Sequence, residues 1–446
     1  MEDSSAAKRR RVEDTSSLRE LLSSSVSSKK LSYGTAGFRD HHSLLQGAMV
    51  RVGMLASLRS RSCGGGFVGV MITASHNPEA DNGAKVVDSD GGMLAQSWEP
   101  HAENLVNFGE VDGAIRILHE IEDSSKSEVS RMVIGRDTRP HSQGLTAMVE
   151  KGAKQVGAAV FDIGLVTTPQ LHFIIKQLNS DACTHPPDRV LDTYYSTLSD
   201  GFLSLIGTGN KQANFKLVLD GSNGIGAVQV KLLIEAINFK QPGTIDIDLR
   251  NCPSDGPVND GCGAEMVQKM QIHPANVDPV SDCGKMIASF DGDADRIVFH
   301  GFIAQDTWRL VDGDKIASLI AVFLITELSA CSWASDFRLG VVQTAYANGA
   351  STAFLRNKGV NIVFAKTGVK YLHEKAHQFD CGIYFEANGH GTVLFSDALT
   401  KKINDEVVSI DSLSSRTAEA VKRLHVLDEL VISRRFELVY LSPAPE

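Results

Sequence analysis

From about residue 31 onward, short runs of apolar and β-branched residues alternate with longer amphipathic stretches. Polar or glycine-containing turns bound the short runs, which is typical of strands. They predict ten strands, at 66–73, 132–135, 158–163, 216–220, 286–290, 297–302, 340–344, 362–365, 382–385 and 392–395. Helices are predicted between them at 142–154, 229–236, 314–328 and 368–378. This alternation predicts an α/β fold with mixed sheets.

The length of 446 residues favours several domains. The first 30 residues are rich in serine and charge, which predicts a flexible tail with a short helix at 17–22. A proline-rich turn at 184–188 predicts a hinge, and a second boundary is expected near residue 300, just after an acidic loop. The predicted division is a tail at 1–30, domains at 31–190, 191–300 and 301–430, and a divergent tail at 431–446.

Composition excludes several classes of function. Lys plus Arg total 44 and Asp plus Glu total 54, so the net charge of −10 disfavours a nucleic-acid partner. No apolar run reaches the roughly 18 residues of a membrane span, so no membrane partner is expected. Seven scattered cysteines without a CxxC pair, and a start without an apolar leader, predict a cytoplasmic location with reduced thiols. The basic patch at 8–11 is interpreted as a solvated tail, with nuclear import as the alternative.

The first candidate for chemistry is Ser75, which stands just past a predicted strand and is followed directly by His76. Such a serine is a nucleophile if a base or a metal activates it. The alternative is a hydroxyl that only caps a turn. The GxSxG elbow of serine hydrolases is absent, which disfavours acyl transfer and leaves phosphoryl chemistry open.

The second candidate is an acidic loop in which Asp291, Asp293 and Asp295 follow a predicted strand. Carboxylates at this spacing can converge on one hard cation such as Mg²⁺. The residues do not fit the positions of an EF-hand loop. A solvated acidic turn is the alternative, and the apolar strands on both sides disfavour it. Arg296 comes next in the chain and suits a phosphate that also touches the metal.

Further basic candidates stand in polar turns, and each is alternatively an ordinary surface charge. They are Arg39, Lys85, Arg136, Arg139 and Lys366.

A third segment, at 385–391, lies between two predicted strands and contains Glu386, Asn388 and His390. These side chains can hydrogen-bond to sugar hydroxyls. Taken alone, the segment favours a plain hairpin turn, because Asn-Gly is a strong hairpin signal.

Together the three segments resemble the α-D-phosphohexomutase superfamily, with a phosphoserine loop around Ser75, a metal loop at 291–296 and a sugar loop at 386–390. Within it the chain is most similar to the phosphoacetylglucosamine mutase subgroup, over about residues 30 to 425. The resemblance implies successive α/β domains with mixed sheets around a central cleft. It also implies a small-molecule partner, a sugar phosphate.

The activity implied is the interconversion of N-acetylglucosamine 6-phosphate and N-acetylglucosamine 1-phosphate, a step towards UDP-N-acetylglucosamine. Ser75 would be carried as phosphoserine, with a 1,6-bisphosphate sugar as the intermediate. Mg²⁺ would be the cofactor, held by a phosphoserine oxygen of Ser75 and by Asp291, Asp293 and Asp295.

The resemblance also assigns the remaining residues. Arg39 and Lys85 match residues near the reacting oxygen, and Lys85 or His76 would assist proton transfer. The residues expected to bind substrate are Arg296, Lys366, Glu386, Asn388 and His390.

Members of the superfamily carry a fourth domain with an Arg-Pro-Ser-Gly-Thr-like loop that clamps the second phosphate. No such segment is found in this sequence, so we expect a chain without that domain. The alternatives are a weakly active or inactive form that binds sugar phosphate, a phosphatase, or a different phosphohexomutase such as a phosphoglucomutase.

Overall fold

Three mixed sheets with helices between their strands make up the part of the chain that the structure describes. The structure is a computed structural model and describes residues 12–180, 183, 185–207 and 215–432. The chain divides after Val190 into two compact units. Within the described ranges, no helix is both long and apolar enough to cross a bilayer. The α/β class with mixed sheets is confirmed.

The first unit holds a five-stranded sheet in the order β1-β3-β2-β4-β5. Its strands are β1 (Phe38–His41), β2 (Phe67–Ile72), β3 (Asp81–Val87), β4 (Arg131–Arg136) and β5 (Ala159–Leu165). Strands β2, β4 and β5 are parallel, whereas β3 is antiparallel to both β1 and β2. The central strand β2 is an unbroken apolar run, as expected where both faces of a sheet are covered.

The helices of this unit include two that approach each other unusually closely. Among its described residues the helices before the division are α1 (Ser16–Ser24), α2 (Gln46–Ser62), α3 (Glu99–Asn107), α4 (Val111–Asp123), α5 (Ser142–Gln155) and α6 (Thr168–Leu178). A methyl group at Gly152 of α5 would lie 1.8 Å from the carbonyl oxygen of Val50 on α2. One at Gly53 of α2 would lie 2.0 Å from the carbonyl oxygen of Val149 on α5. Only glycine therefore permits this helix contact.

The N-terminal segment is packed rather than loose from residue 12 onward. The short helix expected at 17–22 is confirmed as α1, and its apolar face is buried through Leu18, Leu21 and Leu22. The buried Arg51 of α2 donates to the carbonyl oxygen of Leu22 at 3.0 Å. The prediction of a flexible tail over 1–30 is thus wrong for 12–30, because three leucines on one short face do not stand out in a serine-rich stretch. Residues 1–11 lie outside the described residues.

The second unit contains two sheets, in the orders β10-β9-β8-β6-β7 and β12-β11-β13-β14. The first sheet consists of β6 (Phe215–Asp220), β7 (Ile245–Arg250), β8 (Ile287–Phe290), β9 (Ile297–Ala304) and β10 (Thr307–Val311). The second consists of β11 (Leu339–Thr344), β12 (Asn361–Ala365), β13 (Cys381–Phe385) and β14 (Gly391–Phe395). Each sheet mixes parallel pairs with antiparallel hairpins.

The division after Val190 falls inside α7 (Pro187–Ile206). The other helices are α8 (Ile225–Lys240), α9 (Ala264–Met270), α10 (Gly313–Leu328), α11 (Gly349–Asn357), α12 (Val369–Ala376), α13 (Asp397–Val408) and α14 (Ser415–Ile432). The boundary expected near residue 300 falls inside β9 and is corrected to follow β10, because β9 and β10 continue the sheet of β8. Of the tail expected at 431–446, residues 433–446 lie outside the described residues.

Candidate active site

Ser75 lies in a loop that directly follows β2, and its backbone adopts a left-handed conformation with φ of 54°. Non-glycine residues adopt this conformation rarely, and it persists where the surroundings hold it. The backbone N–H of Ser75 donates to the side-chain oxygen of Thr73 at 2.9 Å, and the residue is 1% exposed. The serine is therefore held in one position by its own loop.

Arg139, in the turn after β4, holds this loop from the neighbouring strand. Its Nη2 donates to the carbonyl oxygens of Ser75 at 3.1 Å and Asn77 at 2.7 Å. It also pairs with Asp137, and both side chains are fully buried. The surface-charge interpretation is wrong for Arg139, because the C-terminal ends of the parallel strands β2 and β4 meet at one edge of the sheet.

Arg39 also contacts the loop, and Lys85 lies on the same face of the sheet. Arg39 Nη1 donates to Asn77 Oδ1 at 3.1 Å. In the β1–β3 pair Arg39 stands opposite Gly83, and Lys85 is two residues further along β3. Opposite residues and next-but-one residues share a face, so the two cations project to the same side. His76 is in the loop itself, partly buried beside Ser75.

The three aspartates of the acidic loop converge at the end of β8. Carboxylate oxygens of Asp291, Asp293 and Asp295 lie within 4.8 Å of one another, and all three residues are buried. A left-handed residue, Ala294 with φ of 56°, turns the loop. The backbone N–H of Asp295 then donates to Oδ1 of Asp291 at 3.1 Å. In the described part of the chain this is the one group of three potential metal ligands that comes together.

Arg296, the cation next to the triad in the chain, divides its contacts between these carboxylates and a further one. Arg296 is 3.6 Å from Asp291 and 3.7 Å from Asp295, but its shorter ion pair, at 2.6 Å, is with Glu265. Burial alone would lower the pKa of Arg296, yet the surrounding carboxylates raise it above its usual value. Buried like charges at this separation repel unless a cation neutralises them. An all-oxygen donor set fits Mg²⁺.

The sugar loop is the turn between β13 and β14, and it touches the metal loop inside the second unit. The backbone N–H of Ile297 donates to the carbonyl oxygen of Gly389 at 3.3 Å, and Nδ1 of His390 is 3.9 Å from Asp295 Oδ1. A methyl group at Gly389 would lie 1.9 Å from the Ile297 carbonyl oxygen. The segment is thus the predicted hairpin, and it also borders the metal loop.

The side chains of this hairpin are positioned by backbone groups. Oε1 of Glu386 accepts from the N–H of Gly368 at 3.0 Å, and Oδ1 of Asn388 accepts from the N–H of His390 at 3.1 Å. Lys366 is exposed in the turn that contains Gly368. The structure therefore brings Glu386, Asn388 and His390 to one turn and places Lys366 in the segment that contacts it.

A chain of buried hydrogen bonds runs behind the metal loop. Nε1–H of Trp308 donates to Nδ1 of His300 at 3.3 Å, so the proton of this imidazole is on Nε2, which faces Ser289 Oγ at 3.0 Å. The Ser289 hydroxyl in turn forms a hydrogen bond with Asp220. Burial raises the pKa of the Asp220 carboxyl group. Burial likewise lowers the pKa of His300 to about 3.

Acid should therefore destabilise the second unit through His300. The pKa of His300 is about 3 in the folded chain, against 6.5 for an ordinary histidine. Between these two pH values the unfolded chain therefore binds one proton more than the folded chain. The contribution of His300 to the free energy of unfolding is fully present well above pH 6.5. It decreases as the pH falls, by roughly 1.5 kcal/mol between pH 6.5 and 5. We expect denaturant unfolding of His300→Gln to show a smaller loss over this range than the parent. The exposed His101→Gln is the control, and an unchanged slope in His300→Gln would contradict the assignment.

Family models match most of the chain. Residues 54–112 and 106–185 match "Phosphoglucomutase/phosphomannomutase, alpha/beta/alpha domain I". Residues 186–298 and 312–434 match domains II and III of "Phosphoacetylglucosamine mutase AMG1". A serine loop at a sheet edge, a buried aspartate triad and these matches together define an α-D-phosphohexomutase.

Individual relatives narrow this class. Phosphoacetylglucosamine mutase of Oryza sativa subsp. japonica is 41% identical over 425 residues, which cover 90% of this chain and 74% of that protein. A solved N-acetylglucosamine-phosphate mutase in its product complex has a TM-score of 0.86 and 36% identity, covering 97% of this chain and 82% of that one. The structure of Aspergillus fumigatus N-acetylphosphoglucosamine mutase in complex with GlcNAc-6P and magnesium has a TM-score of 0.82 and 33% identity. It covers 97% of this chain and 82% of that one. The chain belongs to the phosphoacetylglucosamine mutase family.

Proposed function

We propose that this chain interconverts N-acetylglucosamine 6-phosphate and N-acetylglucosamine 1-phosphate, as a step in UDP-N-acetylglucosamine biosynthesis. The observation that carries the proposal is the buried triad of Asp291, Asp293 and Asp295 bordered by the hairpin of Glu386. Such a site would hold a metal ion beside the hydrogen-bonding side chains of the hairpin. Membership of the family supplies the substrate class, since relatives with this name cover most of the chain.

In the proposed reaction Ser75 carries the phosphoryl group. The P–O bond to Ser75 Oγ breaks while a P–O bond to a sugar hydroxyl oxygen forms, which gives a 1,6-bisphosphate sugar. The hydroxyl proton passes to a base, for which His76 and Lys85 are the candidates. The reverse step takes the other phosphoryl group back to Ser75 and releases the isomeric monophosphate. Arg39 supplies positive charge for the transferring group, and Lys85 on the same face of the sheet adds to that charge in the case where His76 is the base.

Asp291, Asp293 and Asp295 would hold Mg²⁺ together with a phosphoserine oxygen of Ser75. The bound ion would neutralise charge on the transferring phosphoryl group. Arg296 stays charged between the carboxylates and is proposed to contact substrate phosphate from there. We assign sugar binding to the hairpin residues Glu386, Asn388 and His390, with Lys366 as a second phosphate contact.

The test is a coupled assay on this chain with Mg²⁺ and a bisphosphorylated sugar primer. We expect a higher kcat/KM for N-acetylglucosamine 6-phosphate than for glucose 6-phosphate. A preference for glucose 6-phosphate would favour a phosphoglucomutase instead, and release of inorganic phosphate without isomerisation would favour a phosphatase. Binding of sugar phosphate with neither reaction would favour a non-catalytic form.

Arg139→Lys should lower kcat by about 10- to 100-fold, with little change in KM for the sugar phosphate. Lysine keeps the positive charge but has a single nitrogen. It cannot reproduce the planar guanidinium, which binds Asp137 through Nη1 and two carbonyl oxygens through Nη2, so the loop of Ser75 would shift. Arg136→Lys is the matched control, because Arg136 pairs with Asp162 at the surface. A kcat equal to that of the parent, at equal folded fraction, would exclude this positioning role.

We propose a cytoplasmic location on the basis of cysteine chemistry. All seven cysteines are unpaired in the structure, which suits a reducing compartment. The proposed partner is the sugar phosphate itself.

A further inference from the structure

We propose that His373 and His377 form a binding site for one divalent transition-metal ion, of the Zn²⁺ class, at the C-terminal end of α12. The site is built on side chains that the mutase reaction does not use. It therefore stands or falls independently of the proposed function.

The geometry of the two imidazoles is that of two ligands on one ion. His377 is the C-cap residue of α12, four residues after His373, so both side chains lie on one face of the helix. Their Nε2 atoms are 3.2 Å apart. Zinc–nitrogen bonds of about 2.0–2.1 Å at a tetrahedral angle separate two ligand nitrogens by about 3.3 Å. The observed spacing matches this without any movement of the helix.

A packed strand orients the first of these ligands. Tyr384 of β13 is buried, and its hydroxyl lies 2.9 Å from Nδ1 of His373. The two rings also meet edge to face, with centroids 5.7 Å apart. With a proton on Nδ1 donated to the tyrosine oxygen, the Nε2 lone pair is directed towards His377. Metal-bound histidines usually have such a partner on the other ring nitrogen.

The second ligand is open to solvent, since His377 is exposed. An ion can thus reach the pair without opening the fold, and water can complete its coordination. Two imidazole nitrogens select Zn²⁺, Cu²⁺ or Ni²⁺ over Mg²⁺, which prefers oxygen ligands. The selectivity of this site is therefore the opposite of that expected for Asp291, Asp293 and Asp295.

The segment His373-Glu374-Lys375-Ala376-His377 also fits the H-E-x-x-H pattern of zinc metalloproteases. In those enzymes a third protein ligand completes the site and the glutamate is the general base. Among the described residues the aspartate triad is the one group of three potential ligands, so no third protein ligand joins this pair. We accordingly infer metal binding and no peptidase activity.

The test is calorimetric titration of the full chain with ZnCl₂ after removal of metals by chelator, in a large excess of Mg²⁺. The parent should bind one more equivalent of Zn²⁺ than His377→Gln, and His373→Gln should lose the same equivalent. Tyr384→Phe should keep the site but weaken it by about tenfold. His101→Gln, an exposed histidine in the first unit, is the matched control and should bind like the parent.

The same comparison in chains that carry Asp293→Asn distinguishes zinc binding at the histidine pair from zinc binding at the acidic loop. The difference between parent and His377→Gln should persist when both carry Asp293→Asn, because the two sites share no ligand. A Cu²⁺ paramagnetic resonance spectrum should show coupling to two nitrogens in the parent and to fewer in His377→Gln. Equal Zn²⁺ stoichiometry in the parent and both histidine variants would overturn the proposal and leave the contact as a hydrogen bond between two imidazoles.

Discussion

Ser75→Ala should abolish phosphoryl transfer, with a loss of kcat on the order of 10³-fold or more, because the variant has no oxygen to carry the phosphoryl group. The variant should fold normally. Alanine adopts the left-handed conformation at a cost similar to that of serine, and the hydrogen bond to Thr73 comes from the backbone N–H. Intact-mass analysis with peptide mapping should find one phosphate on Ser75 in the parent and none in the variant.

The control for this prediction is Ser124→Ala, which removes an exposed hydroxyl at the end of α4 in the same unit. It should keep both the phosphate and the turnover. Normal turnover by a well-folded Ser75→Ala variant would remove the serine from the mechanism. A phosphate that maps to another serine in the parent would do the same.

Local patterns are sufficient to predict β2 and β8, since each is a short, mostly apolar run followed by a polar turn. β3 was missed because Asp81-Asn-Gly opens it, and these residues disfavour strands. It forms because β1 and β2 pair with it on both sides. The strand is therefore a product of tertiary pairing, which a sequence pattern does not contain.

Some residues of the candidate site can likewise be recognised from the sequence, whereas others acquire their role only in the folded chain. Ser75 and the aspartates are recognisable because each group lies within a few consecutive residues. The role of Arg139 depends on β2 and β4 being neighbours, 64 positions apart in the chain, so its sequence context resembles that of any surface arginine. His373 and His377 do have a local signal, because a spacing of four within the predicted helix at 368–378 puts both on one face.

Asp293→Asn, in the metal loop, should change both the activity and the stability of the chain. Removing one of three buried charges should lower Mg²⁺-dependent kcat by about 10²-fold or more, because the ion loses a charged oxygen ligand. The same change lowers activity but should raise the stability of the metal-free chain. Without metal, Asp293→Asn should melt at a higher temperature than the parent, since fewer like charges repel within the loop.

Mg²⁺ should reverse that order of stability. An ion that binds only the folded chain stabilises it by about 2.7 kcal/mol at a hundred times its Kd, so the melting temperature of the parent should rise on titration. Asp293→Asn should respond much less, and the two melting curves should cross as Mg²⁺ increases. Asp246→Asn, an exposed aspartate on β7, is the control and should follow the parent throughout. A parent that melts identically in chelator and in excess Mg²⁺, together with full activity of Asp293→Asn, would exclude the triad as the metal site.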